Sequence, residues 1–232
     1  MFSGIPTEYI SLNIYRQAFG EKQARKFLGL QRSRYLNGRT NQSGKELPLY
    51  RVKASDQFMF YGKGTMAFHA ISHLIGEKEM NRILGNFLDV YRFKGPPYPL
   101  SIDFIDYLKE ETPDSLQSLI EDHFEKVIIY EGKIEDAEMR ELGLGYELDI
   151  ALSLKKEEHL DIGQYEELPV NDLVEIGIYD ENEELIQVKR FWMKAGEKQL
   201  TFKLDRKPAK VVLDPNLLQI DRDLRDNEFE VE

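Results

Sequence analysis

The chain has 232 residues, a formal net charge of −11, 41% apolar and 11% aromatic residues, and no cysteine. This is the composition of a folded globular chain, without disulfides, thiolate zinc sites or cysteine nucleophiles. Its longest apolar runs fall well short of the roughly 20 residues that a membrane-spanning helix requires, and no signal peptide is read at its start.

The first half reads as helices. Residues 8–19 carry Ile10, Leu12, Ile14, Tyr15 and Phe19 near a 3.6-residue period, and Gly20 supplies a helix-terminating glycine. Glu21 opens a second helix to about Leu36, followed by a polar loop with Asn37-Gly38, 41–44 and Leu47-Pro48. A third helix is expected from near Phe60 to Gly76, and a fourth from Glu77 to about Phe93. The run from Gly95 to Pro99 breaks the pattern. Ser101 is read as the cap of a helix through Lys109, and Thr112-Pro113-Asp114 as the N-terminal signal of a last helix to about Glu125.

After residue 126 the period changes from 3.6 to 2. Tyr146, Leu148, Ile150, Leu152 and Leu154 alternate with polar residues, the mark of a half-buried strand. Further short strands are read around Val174–Ile178, Leu185–Trp192, Leu200–Leu204 and Val211–Leu213, with turn residues between them. The tail from Asp221 is mostly charged and is expected to fray.

Charge divides at the same place. Residues 1–125 hold 16 Lys and Arg against 15 Asp and Glu, whereas residues 126–232 hold 15 against 27. The reading is therefore an α+β multidomain chain: an α-helical bundle over 1–125, then an antiparallel β-sandwich over 126–232. The acidic half argues against nucleic acid as a partner. Within the helical half, residues 16–53 hold ten basic and two acidic residues, which either form a solvated face or meet an acidic partner or phosphates.

Two features in residues 58–76 bear on chemistry. His69 and His73 lie four apart on one helical face, the spacing of the zinc ligands in H-E-x-x-H. The acid–base Glu of that motif is replaced by Ala70, and the window for a third ligand holds Tyr91, Arg92 and Phe93 instead of a carboxylate. Two helix-packed histidines account for the pair better than zinc does.

The second feature is Tyr61-Gly62-Lys63-Gly64. Followed by an apolar helix, an Ile-Gly-Glu turn and another helix, it resembles the Y-x-K-G motif of the zinc aminopeptidases of the aminopeptidase N type, a gluzincin family. Residues 98–108 look like that family's next helix, and the β region looks like its sandwich domain. Asp214-Pro215-Asn216, Asp221 and Asp226-Asn227 are similar to the ending of bacterial members fused to transporter-permease segments. The resemblance implies a catalytic role for Tyr61 as hydrogen-bond donor to the oxyanion of the tetrahedral intermediate. It also implies a full-length protein that hydrolyses N-terminal residues from peptides and is tethered at a membrane. Lys63 and Gly64 are taken as structural.

The departures from the family matter equally. No H-E-x-x-H occurs in the 232 residues. The family register places the third zinc ligand at Gly4 or before it, with Glu8 a substitute in the wrong register. No cofactor is expected in this chain: zinc belongs to a complete family member, and the chain alone is expected to be inactive. The alternative is a non-catalytic interaction or scaffold module, with the helical half holding a protein partner or a second copy.

Overall fold

The computed structural model describes residues 4–53 and 55–231. They form six α-helices followed by eight strands in two antiparallel sheets, the helical and β arrangement that the change of period implies.

Helices α1 (Gly4–Phe19) and α2 (Glu21–Thr40) pack on one another, joined by Gly20 at φ 81°, a left-handed conformation that glycine adopts without strain. A π-helical turn, Phe58–Lys63, runs directly into α3 (Gly64–Ile75), which Gly76 ends. Then come α4 (Glu77–Tyr91), α5 (Ser101–Glu110) and α6 (Gln117–Phe124). Every residue of α3 from Gly64 through Ser72 is buried, so this helix is the axis of the bundle. Its Phe68 lies 5.5 Å from Phe104 of α5 in a stacked pair, 5.8 Å edge-on from Phe124 of α6, and 6.0 Å from Tyr9 of α1.

Two expected helix starts are built differently. Leu100, not Ser101, precedes the first turn of α5, and its amide donates to the Asp103 carboxylate at 2.6 Å. Thr112 closes a helix instead of opening one: its hydroxyl donates back to the Leu108 carbonyl at 2.7 Å. A short 3₁₀ turn, Asp114–Leu116, then leads into α6.

Gly62 is where the π turn meets α2. A Cβ there would stand 2.9 Å from the Gln31 carbonyl oxygen and 2.9 Å from both the Tyr35 amide nitrogen and its Cβ. Two of these are backbone atoms that cannot rotate away. Gly62→Ala is therefore expected to lower the unfolding free energy by about 1–3 kcal/mol, read from urea unfolding.

In the β region, β1 (Ile128–Leu142), β2 (Gly145–Asp161) and β3 (Gln164–Leu168) form one sheet, with β6 (Glu197–Leu204) paired antiparallel to β2. The register sets Tyr146 opposite Leu204 and Ile150 opposite Leu200. The second sheet has the order β5 (Leu185–Met193), β4 (Asp172–Tyr179), β7 (Lys210–Leu213), β8 (Glu228–Glu230). Along β2 the buried positions Leu148, Ile150, Leu152 and Leu154 continue inward to Lys156. Its ammonium donates to Asp172 Oδ1 at 2.9 Å, and the Tyr130 hydroxyl donates to the same oxygen at 2.8 Å.

The tail is ordered, contrary to the fraying that its charge suggests. Asp221 is buried and accepts from the Gly132 amide at 2.8 Å, while β8 pairs with β7. The tail's backbone is held by the strand pairing and by the buried Asp221 carboxylate, so composition alone misleads.

By contacts the chain divides into two compact units. One runs up to Ile128 and includes His159–Tyr165; the other comprises Ile129–Glu158 and the stretch from Glu166 on.

Candidate functional site

From residue 59 to residue 72, Tyr61 is the single residue that is not buried. The π turn produces this break. Phe60 packs inward beside it, ring centroids 4.5 Å apart, and Gly62 lets the turn lie against α2. The Thr65 hydroxyl donates to the Tyr61 carbonyl, tying the turn to the first residues of α3. A π-helical segment of this kind often marks a functional position.

Around Tyr61 stand polar groups from α1 and α2. The Arg34 guanidinium lies 5.9 Å from the centre of its ring. Arg34 donates to Gln31 Oε1 at 3.0 Å, and Gln31 Nε2 donates to Glu8 Oε2 at 3.1 Å. A cation, an amide and a carboxylate are thus linked in a row beside a half-exposed phenol. Gln31 and Arg34 are one turn apart on α2, inside the basic run. Their sequence spacing carries no signal that sets them apart from the other polar residues there.

Lys63 has the opposite environment. It is 1% exposed, its ammonium donates to the Lys126 carbonyl at 2.7 Å, and it lies 5.8 Å from the centre of the Tyr35 ring. Burial lowers it from 10.5 to about 8, against the opposing pull of Glu46 and Asp122. Tyr35 donates its hydroxyl to Glu46, whose other oxygen accepts from Arg39 Nε at 2.8 Å. Burial, then the Glu46 charge, holds the Tyr35 phenol well above its ordinary value.

His69 and His73 stand one turn apart on α3. His69 is buried, and the Arg16 guanidinium lies 3.4 Å from its Nδ1. The two imidazole centroids are 6.0 Å apart. Glu8 is engaged by Gln31. Among the described residues no group of three His, Cys, Asp or Glu side chains is placed to hold a metal ion.

A cavity of about 250 Å³ within the helical unit is lined by Arg39, Gln42, Glu46, His159 and Asp161 among others. Arg39 and Glu46 face each other there as an ion pair, so the lining satisfies its own principal charges.

No protein-family model matches the chain, and no curated protein matches it in sequence. Among solved structures it is similar to the crystal structure of Legionella pneumophila aminopeptidase A in complex with aspartic acid. The identity is 14% and the TM-score 0.45, over 90% of this chain and 22% of that one. The chain thus spans about a fifth of that protein's length. At this TM-score the likeness is too coarse to assign a site or a reaction.

Proposed function

We propose that this chain is the rear segment of a zinc aminopeptidase-like protein of the gluzincin, aminopeptidase N type. In the complete form Tyr61 serves as oxyanion donor during removal of N-terminal residues from peptides. The observation that supports this best is the exposure of Tyr61 alone in an otherwise buried stretch, at the position where the Y-x-K-G resemblance puts the catalytic tyrosine. A phenol is neutral at pH 7 and can donate where negative charge develops. Arg34 beside it adds a positive field of the right sign. Among the described residues no group of three His, Cys, Asp or Glu side chains is placed to hold a metal ion, and the reading assigns hydrolysis to a longer protein that brings its own metal ligands.

The test has two arms. The purified chain is expected to bind no stoichiometric zinc by elemental analysis and to leave an aminoacyl reporter uncleaved. Robust, chelator-sensitive cleavage by the chain alone would overturn that half. The second arm is the coding sequence immediately upstream. An in-frame H-E-x-x-H is expected, and in that longer protein Tyr61→Phe should lower kcat with little change in KM. If the upstream sequence lacks the motif, the peptidase reading falls. A non-enzymatic interaction module then takes its place, a reading favoured by the exposed Ile10, Ile14, Phe19 and Leu30 on α1 and α2.

A further inference from the structure

Beside Tyr61 stands a cation that the fold anchors without neutralising. Arg34 is exposed on α2, with its guanidinium 5.9 Å from the centre of the Tyr61 ring. Among the described residues its one hydrogen bond runs to a neutral acceptor, from Nη1 to Gln31 Oε1 at 3.0 Å, and no carboxylate pairs with it. That acceptor is itself fixed. Gln31 is 3% exposed, and its Nε2 donates to Glu8 Oε2 at 3.1 Å, which leaves Oε1 as the end of the amide that Arg34 meets. One nitrogen of the planar fork is thereby held in place. The donors on Nε and Nη2 meet no acceptor among the described residues, and the Tyr61 hydroxyl makes no hydrogen bond there either.

We propose that Arg34 is the specificity-determining residue of the Tyr61 site, holding a carboxylate of the substrate next to the carbonyl that Tyr61 serves. That the carboxylate belongs to a peptide rests on the peptidase reading; that a carboxylate is recognised stands on Arg34 itself. A guanidinium presents paired N–H donors that match the two oxygens of a carboxylate, and such charge-assisted bonds are the strong ones. Anchoring through Gln31 lowers the ordering cost of binding, since the fork is already oriented. Successive Cα atoms are about 3.8 Å apart, so a cation this near the Tyr61 ring reaches only a residue flanking the scissile bond. The free C-terminus of a dipeptide and an acidic side chain beside the bond both present the required group there. Glu8, the one acid in the row, bonds to Gln31 and not to Arg34, so its charge limits the affinity for a carboxylate without cancelling the site.

The intact chain tests this through the NMR signals of arginine Nε–H groups, titrated with three probes: Ala-Ala, Ala-Ala amide and the α-amide of glutamic acid. A saturable shift of the Arg34 signal is expected with a carboxylate-bearing probe and none with Ala-Ala amide. The tighter of the two carboxylate probes assigns the group to a peptide C-terminus or to an acidic side chain. Arg34→Gln, followed through the Tyr61 ring signals, should weaken binding about ten-fold or more. Gln31→Met should weaken it about five-fold by releasing the guanidinium. Glu8→Gln keeps an acceptor for Gln31 and removes the opposing charge, so it should tighten binding about two-fold, a gain that a merely structural role would not produce. Arg34 and Glu8 are exposed, and melting temperatures check the buried Gln31 variant. Equal response to Ala-Ala and its amide, no saturable shift with either carboxylate probe, or parent-like binding by Arg34→Gln overturns the proposal. None of those results touches the peptidase reading, which stands or falls on the upstream sequence.

Discussion

Asp172→Ala is expected to destabilise the β unit by about 3–5 kcal/mol, because it removes the carboxylate oxygen to which the buried Lys156 ammonium donates. Both partners are almost fully buried, with side-chain exposures of 8% and 3%, and the Tyr130 hydroxyl loses its acceptor in the same step. Replacing both charges together, with Lys156→Met and Asp172→Leu, should restore most of that loss, since the cost lies in the orphaned ion and not in the absence of a pair. Urea unfolding of the three variants reads the effect. A loss below about 1 kcal/mol for Asp172→Ala would show that water reaches the pair.

This pair also marks how far the sequence could be read. The alternation from Tyr146 to Leu154 gives the inward face of β2 correctly, and the same phase continues to Lys156. A reader following apolar residues stops at Leu154, because a lysine in the next inward position looks like the end of the strand. Only the fold brings Asp172 to it. Strand β1 was hidden for a related reason. Its inward set includes Gly132, where a Cβ would lie 2.7 Å from Leu213 Cδ2, so the pattern shows a gap where the neighbour packs closely. The helical half was more legible, since glycine stops and 3.6-residue periods are local signals. Thr112 was misread because its hydroxyl can serve the helix before it as well as the one after it.

Lys63 carries the second large effect, and it is a pH effect. The folded chain holds this ammonium at about 8 and the unfolded chain near its ordinary 10.5. Between those values the unfolded state binds more protons, so raising the pH through this window stabilises the fold. The full difference corresponds to about 3 kcal/mol. Lys63→Met removes the titration. It loses the hydrogen bond to the Lys126 carbonyl but also the cost of burying a charge, so at neutral pH the variant should be as stable as the parent or more so. The parent should then gain on the variant by about 3 kcal/mol across the window, measured as the difference between their unfolding free energies at each pH. Parallel pH profiles would mean that the ammonium is solvated after all. Glu46 and Asp122 keep Arg39 and Lys126 as partners in the variant, so neither is orphaned.

Of the candidate site, Tyr61 was legible because it sits inside a short motif of unusual composition. Gln31, Arg34 and their link to Glu8 were not, because they are brought to it by the packing of α2 against the π turn. The histidine pair was legible as spacing, and the Arg16 guanidinium beside His69 comes from a helix more than fifty residues earlier in the chain.

Because the Tyr61 side chain is the one member of the stretch 59–72 that the core does not enclose, packing constrains the identity of residue 61 less than that of its neighbours. Substitution at position 61 is therefore tolerated by the fold more readily than substitution anywhere from 62 to 72.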